Sequence, residues 1–400
     1  MQRPLTVVAD VLLGASALAG EPARYVLIED ARGVRFGVPG LIELGRFRRA
    51  MPGDGVTAAL GMLLADGVEA TGLRTTRFPP VTTGTVERAV DVDQTNELVV
   101  LSEQIVVKWL LHPVAEEQPA PMRLATLARS GFRGTPRLVG LVELATDGSL
   151  VAMITEYVPD TRDGWEWAVE DVRAFASGTG DTHLDAPRAV GGLVAAMHLG
   201  LATAGEAEAT EADAQRWVTQ ALADVEAADL DPGQDGAVRE LLPPVAHAVG
   251  TTVIDTHGDL HIGQILRSET GEYYVIDFDG SPMLEFSERI RPAPAARDVA
   301  GMLASLDHVG RVVLHRTPEL DATARERVLE WIDAAQVEFL DAYRAGLRAA
   351  GRLDLLDDSL LLPFQALQEC REYAYAARYL PHWRYVPESA LPALLKRGAR

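Results

Sequence analysis

The chain has little of what would place it quickly. It has one cysteine, Cys370, among 400 residues, which excludes an intrachain disulfide and fits a reducing compartment. Aromatic residues are only 6% of the sequence, yet 48% is apolar, enough for a sizeable core and against wholesale disorder. Basic residues are the minority, 37 Lys and Arg against 58 Asp and Glu. The net charge of −21 argues against nucleic acid or an anionic membrane as the main partner and suits a neutral or cationic ligand. No apolar window is long enough to span a bilayer. The one run resembling an export signal, VVADVLLGASALAG, contains Asp10 and has only Arg3 ahead of it, so it reads as part of a folded domain in a cytoplasmic protein.

Patterning divides the chain into three pieces. Residues 1–84 alternate short apolar runs with Gly and Pro punctuation (YVLIED, VRFGVPG, FPPVTTG), the mark of a small strand-rich cap. Residues 85–160 carry two β-branched runs near Leu98–Leu101 and Ile105–Trp109, a helix MRLATLARSGF ended by Gly131, and a further strand VAMITEYV. Residues 161–400 turn helical, with apolar positions three and four apart in AARDVAGMLASLDHVG and in FQALQECREYAYAARYL. The segment TAGEAEATEADAQ (203–215) reads as a solvated, mobile edge.

Two short stretches carry the chemistry. HGDLHIGQIL (257–266) is followed eleven residues later by Asp277 in VIDFDG. Each alone reads as a turn or a strand end. Together, in this order, they parallel the arrangement in which an HRD-type loop with a downstream amide precedes a DFG-type turn. Phosphoryl transfer to a hydroxyl needs a carboxylate at the acceptor proton and hard oxygen ligands that hold Mg²⁺ against the nucleotide's phosphates. Asp259 is then the base, Gln264 and Asp277 are the metal ligands, and His257 holds the loop. Upstream, Lys108 interrupts the apolar strand IVVKWLL, where a charge is costly unless it serves a partner such as the α- and β-phosphates; a lysine snorkelling to the strand edge is the other reading. Gln94, Thr95 and Asn96 lie in a polar loop placed to cover phosphates, though it lacks GxGxxG. Glu156 to Val158 has the position of a hinge whose backbone would hold adenine.

These residues resemble the aminoglycoside-phosphotransferase-like kinases and, within them, the maltokinase branch. The resemblance rests on HGDLHIGQIL, VIDFDGSP, ARDVAGML and the tail YAARYLPHWRYVP. It implies an α+β, two-lobed protein-kinase-like fold with an N-terminal β-rich cap, using ATP and Mg²⁺. The tail segment QECREYAYAARYLPHWRYVP (368–387) is more similar to the actinobacterial glucosamine kinases, to which Gln368, Glu369 and Arg371 are particular. Gln365, Gln368, Glu369 and Glu372 recur at helical spacing, and carboxylates and amides there suit sugar hydroxyls and a protonated amine. Trp383 offers an apolar ring face. One departure stands out: the helix acid that pairs with the strand lysine in maltokinase-like proteins is expected near Met122, and none is there; either Glu116 or Glu117 substitutes, or Lys108 is held otherwise. Arg297-Asp298 reads as support behind the catalytic loop. The expectation is an ATP- and Mg²⁺-dependent glucosamine kinase forming glucosamine 6-phosphate, its rivals being a maltokinase, an antibiotic phosphotransferase and a pseudokinase.

Overall fold

The computed structural model describes residues 6–16, 21–67, 70–78, 84–90, 97–178 and 184–398. They form two compact units: Met1–Ala128 with Pro136–Asp160, and Arg129–Thr135 with Thr161–Arg400.

The first unit opens with an antiparallel meander, β1 (Thr6–Ala15), β2 (Pro22–Glu29), β3 (Arg35–Glu43) and β4 (Arg46–Arg49). The export-signal-like run is thus largely the edge strand β1. The β3–β4 hairpin closes through Leu44 and Gly45, both at positive φ (50° and 74°), as a two-residue turn of matching twist requires. Helix α1 (Val56–Asp66) is apolar on almost every side and correspondingly buried. A second, wholly antiparallel sheet has the order β5-β9-β10-β8-β7-β6, from β5 (Leu73–Arg77), β6 (Glu87–Ala89), β7 (Glu97–Leu101), β8 (Ile105–Trp109), β9 (Leu138–Leu144) and β10 (Leu150–Glu156). Helix α2 (Pro119–Ser130) links β8 to β9, and Gly131 at φ 83° ends it.

The cap and the strand-rich piece share one core. Leu27 and Tyr25 of the meander, Leu60 of α1, and Val107, Trp109 and Ile154 of the second sheet belong to a single buried cluster. Trp109 ties the layers directly: its ring stacks on Tyr25 at 6.1 Å, and its Nε1–H donates to Thr57 Oγ1 at 3.2 Å.

The second unit is built on helices α3 (Gly164–Ser177), α4 (Asp185–Ala202), α5 (Glu211–Ala228), α6 (Pro232–Glu240), α7 (Pro243–Ala246), α8 (Phe286–Arg289), α9 (Ala296–Arg316), α10 (Ala322–Ala349), α11 (Leu361–Arg378) and α12 (Tyr385–Gly398). Short strands β11 (Thr161–Arg162), β14 (Ile265–Ser268) and β15 (Tyr273–Val275) form a three-stranded sheet, and β12 (Ala207–Glu208) pairs with β13 (Thr252–Val253). The expected solvated edge at 203–215 contains an ordered helix start. Thr210 accepts the Asp213 N–H at 3.2 Å and Asp213 accepts the Thr210 N–H at 3.0 Å, a reciprocal cap that fixes the first turn of α5.

Helix α9 is the hub, contacting α3, α10, α11 and α12. It buries Val299, Met302, Leu306 and Val309 but also Asp298, Ser305, Asp307 and His308. Buried polar groups cost stability unless hydrogen-bonded, and the partners of these four organise the site.

Glycine is obligatory where α3 meets the loop at 257–264. A Cβ on Gly164 would lie 1.6 Å from the Ile262 carbonyl oxygen, whereas one on Gly192 of α4 meets nothing within 4 Å. Gly164→Ala should therefore destabilise by about 2–4 kcal/mol, and Gly192→Ala should be neutral or stabilise by up to ~1 kcal/mol. Urea unfolding of both variants checks the contrast, and equal effects would contradict this packing.

Candidate active site

The two chemical stretches are one hairpin. Strands β14 and β15 pair with Ile265 opposite Val275, and the Ile276 N–H donates to the Gln264 carbonyl at 3.0 Å. Gln264, just before β14, and Asp277, just after Ile276, therefore stand at the same end of the hairpin. The alternating apolar residues at 262, 265, 275 and 278 are buried beneath it. Gly258 turns the chain with φ 83°, and Asp277 takes φ 61°, a conformation that asparagine and aspartate tolerate best among non-glycine residues. Asp277 itself is exposed.

The loop is gripped from behind by Asp298. Its Oδ2 accepts the His257 N–H at 2.7 Å and its Oδ1 the Gly258 N–H at 2.9 Å. The His198 ring approaches Oδ2 through Nε2 at 3.1 Å, and its Nδ1 lies 2.8 Å from the Tyr343 hydroxyl. Burial pushes the Asp298 carboxyl up, but His198 and these donors hold it below the usual carboxylate range. The side chain lies in the first turn of α9 without capping it; its ligands are the loop amides and His198. Ser305, two turns on, accepts the Ile262 N–H at 2.8 Å.

His257 is itself buried, with Nε2 2.9 Å from the Ile276 carbonyl and Nδ1 accepting the Asp259 N–H at 3.3 Å. Through these two contacts His257 pins the loop to the hairpin. Asp259 is half-buried, and its pKa is pushed up to about 6: by burial first, with the Asp277 and Glu372 carboxylates adding to the rise and His257 and Arg371 opposing it. Burial lowers the pKa of His261, against the pull of Glu372 and Asp277. The Gln264 amide nitrogen lies 3.3 Å from His261 Nε2, an orientation that leaves Oε1 available to another partner.

Gln365, Gln368, Glu369 and Glu372 of α11 span roughly 100° of the helix and are graded from rim to core. Gln368 and Glu372 are half-buried, with Gln368 Nε2 donating to Glu372 Oε1 at 3.0 Å. Arg371 donates to Gln368 Oε1 at 2.7 Å and to Asp224 Oδ2 at 2.9 Å. Trp383, in the turn after α11, donates its Nε1–H to Glu372 Oε2 at 3.0 Å. Its ring meets Trp165 edge-on at 5.6 Å, and Trp165 abuts Gly263 of the loop, so the helix and Asp259 share one site. Gln365 and Glu369 lie on the deep side, 8% and 2% exposed. Glu369 Oε1 is 2.8 Å from His308 Nε2, while its buried Oε2 has no partner among the described residues. Cys370 is buried, and burial pushes its thiol up to about 12, so it is no nucleophile.

The nucleotide-side residues belong to the first unit. Lys108 lies in β8 opposite Leu98 and Met153 and is half-buried. Glu116 and Glu117 are exposed, α2 carries no acid, and Arg123 is its buried charged residue. Glu156 ends β10, with its N–H bonded to the Arg137 carbonyl at 2.8 Å and its carboxylate to the Arg137 guanidinium at 3.2 Å. The Tyr157 N–H donates to the Gln104 carbonyl at 2.9 Å. Val158 is half-buried beside them. Gln94, Thr95 and Asn96 lie outside the described residues.

No family model matches the chain. It is 43% identical over 395 residues to a glucosamine kinase of Streptacidiphilus jiangxiensis, covering 94% of this chain and 89% of that one. It is 40% identical over 371 residues to a glucosamine kinase of Mycolicibacterium smegmatis, covering 88% and 91%. The chain belongs to the glucosamine kinase family. A solved glucosamine kinase in complex with glucosamine, ADP and inorganic phosphate superposes with a TM-score of 0.81 at 39% identity, over 99% of this chain and 95% of that one. A second crystal form of a glucosamine kinase gives a TM-score of 0.85 at 39% identity, over 98% and 94%. The α+β fold with its N-terminal sheet is accordingly that of glucosamine kinases.

In this member of the glucosamine kinase family, His198, Asp224, Trp165 and His308 escaped sequence reasoning. Each sits in an ordinary-looking amphipathic helix: His198, Asp224 and His308 are marked by a polar side chain on an otherwise apolar face, whereas Trp165 carries no such signal.

The burial of Asp259 has a measurable cost. Its ordinary value is 3.8 and its folded value about 6, so the folded state resists its ionisation and loses stability as pH rises through that window. Asp259→Asn should gain on the order of 1–3 kcal/mol near neutral pH. The gain should shrink as pH is lowered from about 6 towards about 4. Thermal melts across that range check it, and a pH-independent gain would remove burial as the cause.

Proposed function

We propose that the chain transfers the γ-phosphoryl group of ATP to a hydroxyl of D-glucosamine, giving ADP and glucosamine 6-phosphate. The observation that carries this reading is the convergence of Asp259 with the acidic face of α11 in one site. Asp259 accepts the hydrogen bond of the sugar hydroxyl and takes its proton as that oxygen bonds to the γ-phosphorus. The bond from phosphorus to the β,γ-bridging oxygen breaks, and ADP leaves. A carboxylate raised to about 6 is a base matched to neutral pH.

The donor set suits Mg²⁺. An exposed carboxylate on Asp277 and an amide oxygen on Gln264 are hard ligands that an octahedral ion takes alongside phosphate and water oxygens. When bound there, the ion would neutralise charge on the phosphates. Lys108 is assigned to the nucleotide phosphates, Gln94, Thr95 and Asn96 to their cover, and the backbone of Glu156 to Val158 to adenine. Glu372, Gln368 and Trp383 are assigned to the sugar hydroxyls and ring face. Glu369 is assigned to the amine: an ammonium supplies the charge-assisted partner that its Oε2 lacks. Among the described residues no helix is long and apolar enough to cross a membrane, and we place the reaction in the cytoplasm, where ATP is held.

ADP release should require an added sugar and be strongest with glucosamine among glucosamine, glucose, N-acetylglucosamine, maltose and an aminoglycoside. Turnover with maltose instead would reject the reading of α11. Asp259→Ala should remove at least ~10² of kcat while ATP binding persists. Glu369→Gln should raise KM for glucosamine roughly tenfold with little change for glucose. An equal loss for both sugars would remove Glu369 as the reader of the amine.

A further inference from the structure

We propose that His308 is a specificity-determining positioning residue: by bonding Oε1 of the buried Glu369 and abutting Trp383, it fixes that carboxylate by one oxygen and leaves the buried Oε2 unpaired for an amine. The proposal rests on the assignment of Glu369 to the sugar's amine.

The geometry is that of a half-spent carboxylate. Glu369 is 2% exposed and His308 4%, and Nε2 lies 2.8 Å from Oε1. An isolated carboxylate at this depth would take up a proton rather than remain charged, and a neutral acid cannot pair with an ammonium. An imidazolium alongside opposes that penalty, although burial still holds the Glu369 carboxyl above the usual range, and it engages only one oxygen. The other, Oε2, meets no donor among the described residues. The cavity bordering Glu369 on the side of Asp307, Gln336 and Arg397 holds about 10 Å³, room for one water and nothing larger.

The same ring sets the wall of the site. Its centroid lies 6.4 Å from that of Trp383, edge-on, and Trp383 in turn holds Glu372. One side chain of α9 thus fixes both a deep anion and the aromatic surface beside it.

The charges facing His308 come from every neighbouring element. Glu369 and Glu372 on α11 and Asp307 on α9 favour its charged form, while His261 lies beside it on the catalytic loop. Asp307 is itself neutralised by Arg311 at 2.7 Å and by Arg397 of α12 at 3.2 Å, which leaves Glu369 as the dominant partner. Burial pulls the imidazole down, but these carboxylates carry it up to about 9, so it is charged at neutral pH.

The test compares His308→Phe, His308→Gln and Glu369→Gln, each assayed with glucosamine and with glucose, from pH about 6 to about 9. His308→Phe should raise KM for glucosamine roughly tenfold near neutral pH, with kcat and the glucose KM nearly unchanged. The loss should shrink as pH rises and the stranded Glu369 ionises. His308→Gln, which keeps a donor without the charge, should fall between Phe and wild type. Imidazole NMR of the wild type should show His308 protonated up to about pH 9, and markedly less basic in Glu369→Gln. This readout needs no His308 variant to fold. Equal losses for both sugars in the His308 variants, or a His308 that titrates at its ordinary value, would overturn the proposal. If Glu369→Gln loses the glucosamine preference while the His308 variants keep it, only the role of His308 falls. If Glu369→Gln also keeps it, the assignment of the amine falls as well.

Discussion

Two oxygens of one carboxylate hold the chemistry in place. Asp298 takes consecutive backbone N–H groups from His257 and Gly258, and hydrogen bonds to a charged acceptor contribute about 1.5–3 kcal/mol each. The turn at Gly258 would otherwise leave two buried donors without partners, since no strand or helix runs through it. Everything downstream inherits this anchor. His257 reaches the hairpin through Ile276 and accepts the Asp259 amide, so the direction of the Asp259 side chain is set by contacts that end on α9. His198 and Tyr343 extend the chain of hydrogen bonds across α4 to α10. Burial pushes the Tyr343 phenol far above its usual range, so it stays a donor, and the His198–Asp298 contact keeps a fixed polarity.

The second constraint is steric. Gly164 lets the start of α3 touch the Ile262 carbonyl, and Gly301 of α9 leaves the Leu260 carbonyl the space that a Cβ would occupy, 2.7 Å away. The catalytic loop is thus clamped between two helices at backbone distance. Trp165, one residue past Gly164, carries that clamp outward to Trp383. The tail segment around Trp383, proposed to face the sugar, and the loop more than a hundred residues earlier are therefore positioned by the same contact.

How much of this was readable follows from sequence separation. The pairing of HGDLHIGQIL with VIDFDG was legible because each is a short local motif and their order and spacing parallel the HRD- and DFG-type arrangement; the hairpin that joins them was not foreseen. The helix ending at Gly131 and the strands around Lys108 were legible for the same local reason. The partners of Asp298 were not, because His257 lies 41 residues before it and no periodicity encodes which buried acid faces which loop. The pairing of His308 with Glu369 spans 61 residues, and on the linear helix Glu369 looks equivalent to Gln368. Its depth emerges only when α9 packs against that side of α11. The shared core of the cap and the strand-rich piece depends likewise on Trp109 meeting Tyr25 and Thr57, contacts that Gly- and Pro-rich punctuation between the pieces conceals.

Charge links the fold to its substrate. Asp259, Asp277, Glu372 and Glu369 crowd one region of a chain that already carries a net charge of −21. Most of the crowding is managed internally: Glu372 accepts from Gln368 and Trp383, Arg371 is matched by Asp224, and Glu369 by His308. What remains unmanaged is Asp259, held up at about 6 by burial and then by Asp277 and Glu372, together with the unpaired, buried oxygen of Glu369. A cationic sugar relieves both at once. An ammonium beside these carboxylates offsets the repulsion that raises Asp259, so its pKa moves back towards its ordinary value as the proposed substrate arrives. A neutral hexose offers no such relief. In the proposed reaction, the acidity of the site would contribute to choosing the acceptor as well as to activating it.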